Sequence, residues 1–255
     1  MRAFALRNWL PNSLRAQLWG NRSKWGLTID PDDPCWQEWQ QTYGKFYSAN
    51  QREGVGIRIN DAGYRVMSHI DLTGKRVLEI GAGDIRHIQH WRGHPTEYIL
   101  ADVRSDMMQK AERRLAEKGV AYRAILLGRE QALPLDDNSV DVIVSFYSLE
   151  HLYPLAPYLT DMRRVLKPAG TLIGAIPAEG GLAWGGGRML TSRRWFKSNS
   201  TIDPDKIICW EHPNFADDII AALDGQFQRR RLHWWPTHLP VLDINLIIQF
   251  CYTKR

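Results

Sequence analysis

Lys75-Arg76-Val77-Leu78-Glu79-Ile80-Gly81-Ala82-Gly83-Asp84-Ile85-Arg86-His87 is the stretch that decides the fold. Val77, Leu78 and Ile80 supply the near-continuous apolar run of a buried parallel strand. Gly81 and Gly83 permit a tight turn whose backbone N–H groups can cradle a ligand. A helix from about Asp84 to Trp91 is expected next, its N-terminus adding free N–H donors and a positive dipole end. Glu79 falls at the strand's carboxyl end, where open α/β sheets bind ligands. A dinucleotide fingerprint asks for Gly-x-Gly-x-x-Gly/Ala, and here Arg86 stands at the third small position. Glu79 would also repel a pyrophosphate, whereas a carboxylate there suits a cation or an ammonium group.

Outward from this turn, strand and helix alternate. Tyr98-Ile99-Leu100-Ala101-Asp102 reads as a second strand, with Asp102 19 positions after Gly83, near the spacing at which an acid meets ribose hydroxyls. Ser105 to Lys118 is an amphipathic helix with Ser105 as its expected N-cap. Ala121–Leu127, Val140–Ser145 and Thr171–Ile176 read as the third to fifth strands, with a helix closing at Met162–Leu166. Phe227–Trp235 and Leu242–Tyr252 read as the last two. This order calls for a parallel sheet with right-handed crossovers.

The acid-x-Gly-x-Gly pattern at Glu79, Gly81 and Gly83 resembles motif I of the class I S-adenosylmethionine-dependent methyltransferases, although Ile85 stands where that family often has a third glycine. Leu133-Pro134-Leu135 with Ser139-Val140-Asp141, then Leu149-Glu150-His151, then Arg164-Val165-Leu166-Lys167-Pro168-Ala169-Gly170 follow in the family's order. The resemblance spans residues 75–177. It implies an α/β, Rossmann-like fold with a seven-stranded, mostly parallel sheet and helices on both faces, and S-adenosyl-L-methionine as cofactor. It further implies that Glu79, Gly81 and Gly83 line the methionine end and that Asp102 accepts from the ribose. Glu130, with Gln131 beside it, would meet the adenine amine, because Arg129 occupies the family's usual aspartate position. Ser145 and Phe146 would lie beneath the sulfonium.

The expected organisation is an N-terminal helical extension or lid over residues 1–73 and a methyltransferase domain over 74–255, with a substrate-cap insertion at 177–213. The insertion joins a glycine-dense run, residues 177–188, to Trp-Glu-His-Pro-Asn at 210–214. It reads either as a flexible loop or as an aromatic and charged platform for a saccharide, resembling methyltransferases of bacterial surface-polysaccharide gene clusters. Trp184, Arg188 and Arg194 are the candidate acceptor-binding residues. If the acceptor is a hydroxyl, a base must take its proton. His151, after the fourth strand, is the first candidate, with Glu179 and His212 as rivals. The expected activity is O-methylation of a sugar or other small polar acceptor, free or lipid-linked. An RNA or protein methyltransferase, or a cofactor-binding partner subunit without turnover, are the alternatives.

Composition bounds these readings. The net charge of +5 is concentrated in Arg2, Arg7, Arg15, Arg22 and Lys24, which account for the whole excess of 33 Lys and Arg over 28 Asp and Glu. The remainder is balanced, so no nucleic-acid partner is expected. The basic, tryptophan-bearing first 26 residues instead suit contact with an anionic membrane surface, or simple packing, and carry no secretory-signal pattern. Cys35, Cys209 and Cys251 are scattered, which fits a reducing, cytoplasmic compartment. His87, His90 and His94 lack a completing carboxylate and read as solvated or capping side chains, so no metal is expected. The oligomeric state is left open.

Overall fold

Val77 and Leu78 are fully buried but belong to different hydrophobic cores, as a parallel strand covered on both faces requires. A computed structural model describes residues 5–51, 54–128 and 132–255. Among these, β1 (Arg76–Ile80), β2 (Glu97–Asp102), β3 (Tyr122–Leu126), β4 (Val140–Phe146), β5 (Leu166–Pro177), β6 (Gln228–Trp235) and β7 (Ile247–Thr253) form one seven-stranded sheet in the order β3-β2-β1-β4-β5-β7-β6. The first five strands run parallel, and β7 pairs antiparallel with both β5 and β6. The expected Rossmann-like architecture is the one observed.

The helices are α1 (Asn12–Trp19), α2 (Arg22–Trp25), α3 (Pro34–Gln51), α4 (Gly54–Tyr64), α5 (Ser105–Glu117), α6 (Leu155–Val165), α7 (Leu182–Leu190), α8 (Ser192–Asn199), α9 (Pro204–Glu211) and α10 (Ala216–Gln226). One face of the sheet, with Leu78, Ile99, Ile143 and Leu172, packs on Leu159 and Met162 of α6 and on Ile219 and Leu223 of α10. The other face, with Val77, Leu100, Val144 and Ile173, packs on Met108, Ala111 and Leu115 of α5 and on Tyr64 of α4. Each such side chain, removed from water, contributes about 1.5–3 kcal/mol.

A third cluster lies away from the sheet. Trp39 of α3 is buried against Phe196 of α8 and Ile207 of α9, with Trp36, Tyr43 and Phe46 packed around it. The aromatic face of α3 therefore packs on α8 and α9. The glycine-dense run of the insertion is helical from Leu182 onward, which corrects the expectation of a flexible loop there. Gly185, Gly186 and Gly187 cost α7 about 1 kcal/mol each relative to alanine. Docking offsets this cost: a Cβ on Gly185 would come within 2.9 Å of Trp19 Nε1 and 3.2 Å of Leu18 Cβ, so the glycine lets α1 and α7 meet.

Two further expectations change. No α-helix follows the glycine turn; only a short 3-10 segment, Arg86–His90, is formed there, entered through Ile85 at φ 45°. The basic N-terminal residues are also partly spent inside: Arg7 pairs with Asp217 at 2.7 Å, and Arg22 donates to the carbonyl of His212 at 2.7 Å. Trp9 and Leu14 remain exposed, and Arg2 lies outside the described residues.

Candidate active site

In this strand order the chain reverses direction of progression between β1 and β4, and ligands of open α/β sheets bind outside the carboxyl ends at such a point. The β1 strand is followed by Gly81, at φ 69°, whose N–H donates to the Ala101 carbonyl at 2.8 Å. Gly83, at φ 53°, donates its N–H to Asp102 Oδ2 at 2.9 Å, and Arg104 N–H donates to Oδ1 at 2.9 Å. The carboxyl end of β2 is thereby tied to the glycine turn. Burial pushes the Asp102 carboxyl above its ordinary pKa, against the lowering effect of these N–H donors. The two glycines serve different needs. A Cβ on Gly81 would lie 2.4 Å from Ser148 Cβ, so the loop after β4 needs a glycine there, whereas a Cβ on Gly83 would enter open space. The open cradle at Gly83 beside a carboxylate fits the amino-acid and ribose parts of the expected cofactor.

Other residues assigned to that cofactor are placed differently. Glu79 is buried, with Oε1 2.9 Å from His87 Nε2 and Oε2 accepting from Tyr98 OH at 2.6 Å. His87 Nδ1 accepts from Trp91 Nε1 at 2.9 Å, which assigns the imidazole proton to Nε2. His87 is thus a buried partner of Glu79, which corrects its reading as a solvated or capping side chain. Ser145 Oγ lies 2.6 Å from Ser148 Oγ, which donates to the Ile80 carbonyl at 2.9 Å. These hydroxyls stitch the β4 loop to β1. Phe146 packs edge-on against Tyr64 and beside His87. Glu130 and Gln131 lie outside the described residues.

Across the carboxyl ends of β4 and β5 stands a second group. Glu150 and His151 lie in the turn after β4, Glu179 follows β5, Trp184 and Arg188 project from α7, and Glu211 and His212 end α9. Glu179 is fully buried: Arg188 Nη1 donates to its Oε1 at 2.7 Å, Nη2 lies 2.6 Å from Oε2, and Trp184 Nε1 donates to Oε2 at 3.0 Å. Burial alone would raise its pKa, but Arg188 and His212 outweigh that and hold it at about 2. His151 Nδ1 sits 3.2 Å from Glu211 Oε2 and also contacts the Glu211 carbonyl. Burial opposes its charged form, yet Glu211 and Glu150 lift its pKa to about 9. His212, 4.7 Å from His151 between ring centroids, is lowered to about 4 by burial and Arg188. Burial pushes the Glu150 carboxyl up to about 7.

The fold brings together His151, Glu179, His212, Trp184 and Arg188. Arg194 is exposed on α8, and Arg188 is engaged by Glu179. Glu150, Glu211 and Asn214 had no assigned role from sequence, although they sit in the Leu-Glu-His and Trp-Glu-His-Pro-Asn strings. Asn214 Nδ2 donates to the carbonyls of Leu149 at 3.0 Å and Leu152 at 2.7 Å, fixing the turn that carries Glu150 and His151. Trp39 Nε1 donates to Glu211 Oε1 at 2.6 Å, so α3 reaches this group through α9. A separate cleft of about 650 Å³ opens on the α4 side, lined by Arg58, Asp61, Arg65, Arg86, Arg114 and Trp235 among others.

Comparison with known proteins agrees with this geometry. Residues 78–174 match the family described as a methyltransferase domain. The ubiquinone/menaquinone biosynthesis C-methyltransferase UbiE of Shewanella sp. (strain W3-18-1) is 32% identical over 104 residues, 39% of this chain and 41% of that protein. The chain thus spans about two fifths of that relative's length. An S-adenosylmethionine dependent methyltransferase from Mesorhizobium loti superposes with a TM-score of 0.51 at 15% identity, over 76% of this chain and 100% of that one. The PH0226 protein from Pyrococcus horikoshii OT3 gives 0.56 at 16% identity, over 84% and 99%. At these identities the two structures speak for the fold. The segment that builds the glycine turn and the central strands thus resembles a class I S-adenosylmethionine-dependent methyltransferase domain.

Proposed function

We propose that the chain transfers a methyl group from S-adenosylmethionine to a hydroxyl of a polar acceptor, a sugar or similar small molecule, free or lipid-linked. The observation that carries this reading is a pair of unlike poles at one edge of the sheet. A glycine turn tied to the Asp102 carboxylate stands at β1 and β2, and a cluster of Glu and His side chains stands at β4 and β5.

Gly81 and Gly83 would border the methionine end, and Asp102 would hold the ribose hydroxyls. After its two N–H bonds the carboxylate keeps free acceptor positions, since an ionised one offers about four. When bound, the cofactor supplies a methyl group on a positively charged sulfur, already activated for displacement. The protein's share is then positioning, bringing the acceptor atom in line at about 3–3.5 Å from the carbon. His151 and His212, with side chains 36% and 21% exposed, are reachable by an acceptor hydroxyl, while buried Arg188 and Glu179 brace them. Such a charged surround favours a polar acceptor over an apolar one.

The name of the UbiE relatives favours a second reading, methylation of carbon. Incubation with methyl-labelled cofactor and a panel of hydroxyl-bearing saccharides and phenolic or quinol rings separates the two. Label in an O-methyl ether supports the proposal, and label on a ring carbon supports the second reading. A chain that binds the cofactor yet labels nothing, and forms a stable complex with another protein, would act as a partner subunit.

A further inference from the structure

We infer that Glu150, His151 and His212 form a binding site for one divalent transition-metal ion, with Glu179 and Glu211 supporting the two imidazoles. One ligand atom from each of the three residues lies within 4.8 Å of the others. Bonds of about 2.0–2.2 Å in a tetrahedral shell put ligand atoms about 3.4 Å apart, so closing the site needs side-chain movements of about 1 Å. One pair, Glu150 Oε1 and His151 Nε2, is at 3.9 Å.

Two features point to a cation. The Glu150 side chain is 2% exposed, and its Oε2 has no hydrogen-bond partner, so a buried carboxylate oxygen stands unmatched. Both imidazoles have a carboxylate beside them: His151 Nδ1 lies 3.2 Å from Glu211 Oε2, and His212 Nδ1 lies 3.2 Å from Glu179 Oε2 without a well-aligned hydrogen bond. That leaves Nε2 of each ring for a ligand. A carboxylate behind the imidazole is the arrangement that orients metal-binding histidines and raises their basicity.

Two imidazoles and one carboxylate suit Zn²⁺, Co²⁺ or Fe²⁺ better than Mg²⁺ or Ca²⁺, which prefer oxygen shells. The exposed edges of His151 and His212 give a path of entry. This reverses the expectation of no metal, which rested on His87, His90 and His94. In the structure His87 is bonded to Glu79, and His90 Nε2 lies 2.7 Å from Asp61. On the methyl-transfer reading, such an ion would hold a hydroxyl oxygen of the acceptor; the metal site itself does not depend on that reading.

The test is titration of the chelator-treated full chain with Co²⁺, read by visible absorption, and with Zn²⁺, read by calorimetry. One equivalent is expected to bind, and Zn²⁺ to raise the melting temperature. Glu150→Gln and His212→Asn should each weaken binding by at least about 100-fold, and Glu211→Gln by about 10–100-fold, while His94→Asn leaves it unchanged. Circular dichroism and S-adenosylhomocysteine binding confirm that each variant is folded. Absence of saturable binding, or equal binding by the parent and a Glu150→Gln, His212→Asn double variant, overturns the proposal. A chain that binds Co²⁺ but no S-adenosylhomocysteine would overturn the donor reading and leave the metal site standing.

Discussion

The two glycines of the turn separate the demands of folding from those of binding. Gly81→Ala must place a Cβ 2.4 Å from Ser148 Cβ at φ 69°. The left-handed conformation costs about 1–2 kcal/mol and the overlap about 1–3, so a loss of about 2–5 kcal/mol is expected in denaturant titration. Gly83→Ala meets nothing within 4 Å and should cost only the conformational part, yet its methyl enters the crevice and should weaken S-adenosylhomocysteine binding. Asp102→Ala removes a charged acceptor from the ribose side, and about a 10–100-fold rise in the dissociation constant is expected by calorimetry. Gly83 and Asp102 were legible because spacing alone places them. The engagement of Glu79 was not legible. Nothing in the string Glu79 to His87 says that the following segment folds down, so that His87 bonds Glu79 while Trp91 stacks on Tyr98 at 4.7 Å.

At the scale of elements, parallel strands announce themselves because both faces are buried and the apolar run is unbroken. β1, β2 and β4 were readable for that reason. The segment after the glycine turn was read as an α-helix, but Ile85 takes a left-handed conformation and Gly93 and Pro95 follow closely, so only a 3-10 turn fits. α7 misled in the opposite direction. Three glycines argue against a helix, and the partner that favours it, Trp19, is far away in sequence and donates its Nε1 proton to the Gly181 carbonyl at 3.3 Å. The same helix carries Arg188, whose pairing with Glu179 makes another prediction. Arg188→Ala strands a fully buried carboxylate and should cost about 3–5 kcal/mol. Combining Arg188→Met with Glu179→Gln should recover most of that loss, because Gln keeps an acceptor for Trp184 Nε1. Equal losses in the single and double variants would count against the pairing.

Over the whole molecule, the opposite end of the sheet carries stability and the carboxyl end carries the site. Asp141 accepts from Arg76 N–H at 2.9 Å and from Lys167 Nζ at 2.8 Å, joining the starts of β1 and β5 to β4. Burial works against its charge, but Lys167 and the Arg76 N–H outweigh it and hold the carboxyl below the ordinary value of 3.8. A depressed folded pKa stabilises above the unfolded value and loses that contribution as pH falls through the folded one. Asp141→Asn should therefore lower stability at neutral pH and flatten its decline below about pH 4, as measured by denaturation across that range. No helix among the described residues is long and apolar enough to cross a membrane. Whether the glycine turn and Asp102 receive a methyl-donating nucleoside is read by calorimetric titration with S-adenosylhomocysteine. One equivalent should bind to the parent and fail to bind to an Asp102→Ala, Gly83→Ala double variant. Absence of binding to the parent, or saturable binding of a nicotinamide dinucleotide in its place, would contradict the account.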